Sequence, residues 1–212
     1  MIEFKTVSLA NQIYEKIEMD ILTGVYEHGE ILTETKLSEN LNVSRTPIRE
    51  ALARLINDNL IADNKKGVVV LGITKDDVRD MMEVKQRLEI YATVNATELI
   101  SDEDLKVLKE LIEEQEFYVL KKDPAKVMML DSKFHSLIYA NCGSMIIESI
   151  LTPLHRRLLK YRMISLESES RMKKSVEEHI LIYEAMKNRD KALVEKYTSI
   201  HIQNAKKNIC NE

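Results

Sequence analysis

Five glycines and three prolines are spread over 212 residues, and four of the five glycines fall before residue 73. A barrel or sandwich reverses direction too often to be built with so few, so the chain reads as mainly α, joined by short connections. The first third is different in texture. It holds Gly24, Gly29, Gly67 and Gly72 together with the only strand-like runs, 60–63 and 68–71. From Thr74 onward come long amphipathic segments punctuated by helix starts. Thr74 with Asp77 and Ser101 with Asp104 resemble capping boxes, Asp123 stands before Pro124, and Asn188 and Asp190 bracket a break. The expected organisation is a first domain over 1–72, a linker over 73–75 and an antiparallel helical bundle over 76–212, of six or seven helices, its length favouring six.

No run of about 18 apolar residues exists, so no membrane span is expected. The opening stretch MIEFKTVSLANQIYEKIEMD carries acids throughout and lacks an apolar signal core. Cys142 and Cys210 are too few for a disulfide framework or a thiolate zinc site, and a reducing cytoplasm is the expected setting.

In the first domain, Leu9, Ile13, Ile17 and Ile21 recur at fourfold spacing and predict a helix ending at Gly24. A second helix fits 34–41 with Thr33 as its cap. Asn42 supplies a left-handed turn, and Ser44 caps a third helix whose apolar stripe is Ile48, Ala51, Leu52, Leu55 and Ile56. Thr46, Arg49, Glu50 and Arg54 lie opposite that stripe, with Arg45 at its edge. Two short strands then flank Asn64-Lys65-Lys66-Gly67. Helix, helix, tight turn, helix and a basic-tipped hairpin make a winged helix-turn-helix plan. In such a plan the start of the third helix enters the major groove, where arginine can fork onto guanine, and wing lysines meet phosphate. The domain as a whole is not basic: residues 1–72 carry 8 basic and 11 acidic side chains, whereas 42–72 carry 5 and 3. A nucleic-acid surface must therefore be local. The charge pattern alone equally fits a solvated helix with two surface arginines.

The stretch Leu41-Asn42-Val43-Ser44-Arg45-Thr46-Pro47-Ile48-Arg49-Glu50-Ala51-Leu52 resembles the recognition-helix motif of GntR-family transcriptional regulators. Ile21-Leu22-Thr23-Gly24 and Gly29-Glu30-Ile31-Leu32-Thr33-Glu34 are similar to that family's first helix and turn. The resemblance implies that Arg45 and Arg49 contact base edges or flanking phosphates, that Ser44 and Thr46 contact phosphates, and that Lys65, Lys66 and Gly67 form the wing's contact, the glycine permitting close approach to the minor groove. Thr35 stands where many members carry a phosphate-binding arginine, and Asn59 replaces the usual glycine after the recognition helix.

The second domain is distinguished by its histidines. Asp131 and His135 are one turn apart and share a helix face, a common way to present two metal ligands. His179 and His201 flank the break near 188–190 at about 15 and 18 Å along their helices, so an antiparallel pair brings them level. One carboxylate and three imidazoles can thus converge, although each histidine alone also fits an ordinary satisfied side chain. His28 and His155 match neither pattern and are left out. Asp131-Ser132-Lys133-Phe134-His135 resembles the D-x-x-x-H element of the FCD ligand-binding domain of FadR-type GntR regulators, and residues 178–190 with His201 are similar to its closing helix pair. This implies that Asp131, His135, His179 and His201 bind a divalent metal, with zinc, nickel and manganese all admissible, which helps to hold a small organic acid. An ion with four protein ligands and open positions would suit such a site. By the same resemblance Arg87 is the candidate effector anchor, since its fork matches a carboxylate; it also fits an exposed pair with Glu83. Arg157, Arg162 and Tyr91 are further pocket candidates.

The function expected from these parts is a metabolite-responsive transcriptional regulator, a repressor rather than an enzyme, with no catalytic residue assigned. Its expected partners are a palindromic or near-palindromic DNA operator, a small organic acid effector and a second copy of the chain, the bundle forming the homodimer. The alternative is a metal-dependent enzyme acting on a small carboxylate through the Asp/His3 site.

Overall fold

The computed structural model describes residues 8–210; the first seven residues of the N-terminal stretch analysed above lie outside them. The chain forms two compact units divided between Thr74 and Lys75.

In the first unit, α1 (Leu9–Thr23) begins where the Ser8 hydroxyl accepts the Asn11 amide and ends at Gly24, which takes the left-handed conformation (φ 82°). Next come β1 (Ile31–Leu32), α2 (Glu34–Leu41) and α3 (Arg45–Asn57), then β2 (Ile61–Asn64) and β3 (Gly67–Val70). Thr33 caps α2 through the Lys36 amide, and Asn42 makes the left-handed corner before α3 (φ 51°). Asn59 also adopts positive φ (56°), so the asparagine performs the turn for which a glycine was expected. The sheet order is β1-β3-β2, all antiparallel. The two strands of the hairpin were expected from the sequence, each one residue out of step. The edge strand β1 was not, because two residues carry no readable alternation. The core is apolar: Ile17, Ile48, Leu55 and Val70 are fully buried beneath the three helices and the sheet.

The second unit is all helical among its described residues: α4 (Lys75–Leu99), α5 (Asp102–Leu120), α6 (Pro124–Ala140), α7 (Met145–Arg157), α8 (Leu159–Glu167), α9 (Glu169–Lys187) and α10 (Lys191–Cys210). That is seven helices among the described residues, the larger of the two expected counts rather than the six that the length favoured. The extra one arises because the segment between Ser144 and Ser168 breaks at Leu158. There the Arg162 guanidinium donates to the carbonyl of His155 (3.2 Å), taking an acceptor near the end of α7. Ser101 and Asp123 cap α5 and α6 as their spacing predicts. Within the bundle α4 packs on α10, α6 and α7, α5 on α6 and α9, and α9 on α10. The centre of this packing is where the polar residues converge.

Candidate functional sites

His135 on α6, His179 on α9 and His201 on α10 bring one ring nitrogen each within 4.8 Å of one another, all buried. Antiparallel pairing of α9 with α10 brings His179 and His201 level, their ring centroids 4.8 Å apart. Asp131 Oδ1 lies 3.7 Å from His135 Nε2 and 3.6 Å from His179 Nε2. The four residues singled out for a metal are therefore gathered at one place.

What orients the rings was not anticipated. His135 Nδ1 lies 3.1 Å from Glu89 Oε1, His179 Nδ1 2.8 Å from Gln115 Oε1, and His201 Nδ1 2.8 Å from Glu178 Oε2. These oxygens accept, so each Nδ1 carries the proton and each Nε2 keeps its lone pair. His179 Nε2 is fully buried and has no partner among the described residues. Histidines that ligate metals show this arrangement, the far nitrogen donating to a carboxylate or amide oxygen. The supporting residues leave a trace in the sequence: Glu89 and Gln115 occupy stripe positions, between Met82 and Ala96 and after Leu108 and Ile112, where an apolar residue would normally sit. Glu178 directly precedes His179.

The electrostatics agree with this geometry. Burial alone would raise the Asp131 carboxyl, but opposing charge, that of the Arg162 guanidinium foremost, holds it well below the usual carboxylate range. Burial likewise opposes ionisation of Glu89, and Lys85 followed by His135 outweighs it. His135 is lowered and His179 lowered well below the ordinary imidazole value, burial being the largest cause in both. The centre thus combines ionised carboxylates with His135 and His179 imidazoles displaced toward the neutral form, the forms that bind a cation.

A cavity of about 40 Å³ opens beside the cluster, lined by Lys85, Asp131, His135, His155, Arg162 and Arg171 among others. Arg162 bonds Asp131 and, at 3.0 Å, the Ser132 hydroxyl. Two expectations are corrected here. Arg87 does not face the cavity; it is exposed on α4, on the side away from buried Lys85 and Glu89, and Glu83 bonds Lys206 of α10 instead. The arginine at the cavity is Arg162, and Tyr91 is 54% exposed. His155, set aside in the sequence, is 5% exposed and belongs to the same cluster, its ring 4.8 Å from that of His135.

On the first unit, Ser44, Arg45, Thr46 and Arg49 are all exposed at the start of α3, and Lys65 and Lys66 are exposed at the tip of the hairpin. Ser44 holds the N-cap position without making a side-chain cap bond, which leaves its hydroxyl available. Arg49 Nε donates to Glu34 Oε2 (2.7 Å), so α2 steadies the guanidinium. Arg54 is turned back, its guanidinium 3.9 Å over the Tyr14 ring and bonded to Asn11. Gly67 has a reason of its own: a Cβ there would stand 2.3 Å from the Leu32 carbonyl oxygen of β1, at φ 146°. Its lack of a side chain is required by the sheet itself.

Comparison with known proteins matches residues 9–70 to the gntR family of bacterial regulatory proteins and residues 80–204 to the FCD domain. The chain is 28% identical over 196 residues to the gluconate operon transcriptional repressor of Bacillus licheniformis, covering 88% of this chain and 78% of that one. It is 26% identical over 199 residues to the HTH-type transcriptional repressor RspR of Escherichia coli K12, covering 93% and 87%. The solved structure of E. coli McbR/YncC superposes with a TM-score of 0.79 at 24% identity, covering 93% of this chain and 95% of that one.

Proposed function

The chain belongs to the GntR family of bacterial regulatory proteins with an FCD domain, a family of transcriptional regulators, and from this premise we propose that it is a repressor whose DNA affinity is set by a small organic acid held beside a divalent metal. The enzyme alternative is set aside, since both family matches and the named relatives are transcriptional regulators.

The observation that carries the metal reading is the set of three Nδ1 contacts to Glu89, Gln115 and Glu178, which leaves three Nε2 lone pairs converging near an ionised Asp131. Asp131, His135, His179 and His201 would hold the ion, whether zinc, nickel or manganese. When bound, it supplies positive charge toward which a carboxylate is drawn. Arg162 carries the positioning: its guanidinium lines the cavity, and its fork has more N–H groups than its bonds to Asp131, Ser132 and the His155 carbonyl use, so an effector carboxylate entering there meets a donor held in place. Ser132 and the His155 carbonyl fix the orientation of that fork.

On the first unit, Arg45 and Arg49 would read base edges in the major groove, Ser44 and Thr46 would bond phosphates, and Lys65 and Lys66 would meet backbone or minor groove. One winged domain gives a short read, so a homodimer on a palindromic or near-palindromic operator, joined through the helical unit, completes the proposal. Thr35 in place of arginine removes one phosphate contact from this inventory. Effector and operator are then linked: whatever factor the acid takes from DNA affinity, DNA takes from acid affinity.

The test is His179→Gln, which removes a ligand while keeping the side chain's bulk. Elemental analysis should show loss of metal, and a fluorescence DNA titration should show operator binding that no longer responds to organic acids. Full metal occupancy with an unchanged acid response would overturn the assignment.

A further inference from the structure

One imidazole in the cavity wall is used by nothing else in the described residues. His155 is 5% exposed, and both its ring nitrogens are buried without a hydrogen-bond partner. Its Nε2 stops 3.7 Å from Asp131 Oδ2, too far for a hydrogen bond. It stands outside the convergent set of His135, His179 and His201. The charged groups near it are engaged already: Lys85 with Glu89 and Tyr139, Arg162 with Asp131, and Arg171 with Glu178. Buried polar atoms without partners are rare in folded proteins, and one that lines a cavity points to an absent partner.

The chemistry of that partner follows from what each group offers. A neutral imidazole presents one N–H and one lone pair, whereas a carboxylate only accepts. A carboxylate is served by Arg162. A hydroxyl both donates and accepts, so it can satisfy either nitrogen of His155 in either tautomer. A second carboxylate would add another negative charge to a wall whose three cations, Lys85, Arg162 and Arg171, already face the carboxylates of Glu89, Asp131 and Glu178. The cavity, about 40 Å³, admits a group of a few heavy atoms.

We propose that His155 recognises a hydroxyl on the effector, so that the acid held beside Arg162 is a small hydroxycarboxylate. This rests on the reading of the cavity as the effector site. His155 is here a specificity residue that touches the ligand, and Ser165 and Ser175, which also line the cavity, are placed to extend the same hydroxyl-reading wall.

The test uses the full chain loaded with zinc and titrated by calorimetry with glycolate, acetate and malonate. Glycolate and acetate differ by a single hydroxyl. Glycolate should bind at least about tenfold more tightly than acetate, and malonate should gain nothing over acetate. His155→Phe should reduce the glycolate preference to less than about threefold, while zinc content and acetate affinity hold. His155→Gln, whose amide also donates and accepts, should keep much of the preference. Because a metal can itself favour a hydroxy acid, the ratio in His155→Phe is decisive, and an unchanged ratio overturns the proposal. The effector-free melting temperature of His155→Phe should not fall, since no hydrogen bond is lost; His155→Leu repeats the test if phenylalanine does not fit. Equal binding of glycolate and acetate by the parent chain would overturn this inference and leave the effector reading intact. Binding of neither acid by zinc-loaded protein would remove the effector reading, and this inference with it.

Discussion

The ion pairs at the two candidate sites lie in different places, one on the surface of its unit and one inside the core. In the N-terminal unit Arg49 and Glu34 pair on the surface, with side chains 65% and 36% exposed, over a core that is almost wholly apolar. In the C-terminal unit Arg162 and Asp131 pair inside the bundle, at 9% and 7% exposure, among buried Lys85, Glu89, Arg171 and Glu178. The first unit keeps its chemistry outside its core, so a side chain there can be lost without opening a cavity. The second has built its chemistry into the core, so site and stability share the same residues. Buried charges of this kind are tolerated only when each finds a partner.

The sharpest break in that comparison is Asp131→Ala. It leaves the Arg162 guanidinium with Ser132 and a carbonyl as its remaining acceptors, and should destabilise the C-terminal unit by about 3–5 kcal/mol. Removing Glu34, the surface counterpart, should cost roughly 0–1 kcal/mol. Urea unfolding followed separately in each unit distinguishes them. Equal small losses at both positions would mean that the buried pair is screened like the surface one.

Next in size is Arg49→Ala. Loss of a base-edge fork should weaken operator binding by about 1–3 kcal/mol per half-site while the melting temperature stays within a degree or two. Arg49 faces away from the stripe of Ile48, Ala51, Leu52 and Leu55, so no packing is lost. Operator affinity equal to the parent's would show that α3 does not enter the groove by this face.

The contrast between the units also explains what the amino-acid order reveals. The proposed DNA-reading surface rests mainly on contiguous motif residues, and the run from Leu41 to Leu52 places helix, turn and exposed arginines together. The proposed buried site is dispersed over all seven helices, α4 to α10. Asp131, His135, His179 and His201 could be paired by helical spacing, because their chemistry and register are local. Glu89, Gln115 and His155 could not, because nothing in one helix says which neighbour will face it. They show only as polar residues interrupting an apolar stripe. Arg87 was misjudged for the same reason: one residue along α4 moves a side chain by 100°, and Lys85 and Glu89, two residues to either side, take the inward face. The break at Leu158 depends on a tertiary contact, Arg162 with the His155 carbonyl, that no local signal announces.

A third effect separates the units by pH. Burial holds His179 and His155 well below the ordinary imidazole value, and lowers His135. The unfolded chain titrates near 6.5 and so binds more protons than the folded metal-free unit below that pH. Stability from these groups is complete above about pH 6.5 and is lost as pH falls toward the lowered values. Each tenfold difference in proton affinity between the folded and unfolded imidazole is worth about 1.4 kcal/mol. The carboxylates at the centre are also lowered and give way only in more acidic solution. The N-terminal unit holds one histidine, His28, which is exposed. Hydrogen exchange on metal-free protein at pH 7.5 and 5.5, corrected for intrinsic rates, should show protection falling in the helical unit only. Parallel loss in both units would mean that the imidazoles are not the cause.

The smallest effect expected is at the wing, where Lys65 and Lys66 project from the two-residue turn between Asn64 and Gly67. The Asn64 carboxamide oxygen accepts the Lys66 amide (3.1 Å), so the turn is held by backbone and asparagine, and neither lysine side chain contributes to it. Alanine at either position should leave the fold untouched and weaken binding to all DNA sequences alike. A lysine that neutralises one phosphate releases roughly one counterion, so each substitution should reduce the slope of log affinity against log salt by about 1, without altering the preference for operator over random DNA. Gly67→Ala is the contrasting change: its new methyl would press on the Leu32 carbonyl and displace β1 from β3, so its loss of DNA binding should come with a lower melting temperature. Salt titrations of the three variants, set beside their thermal melts, tell the two causes apart. A lysine variant that lost operator preference at unchanged salt slope would move the wing from phosphate contact to base reading.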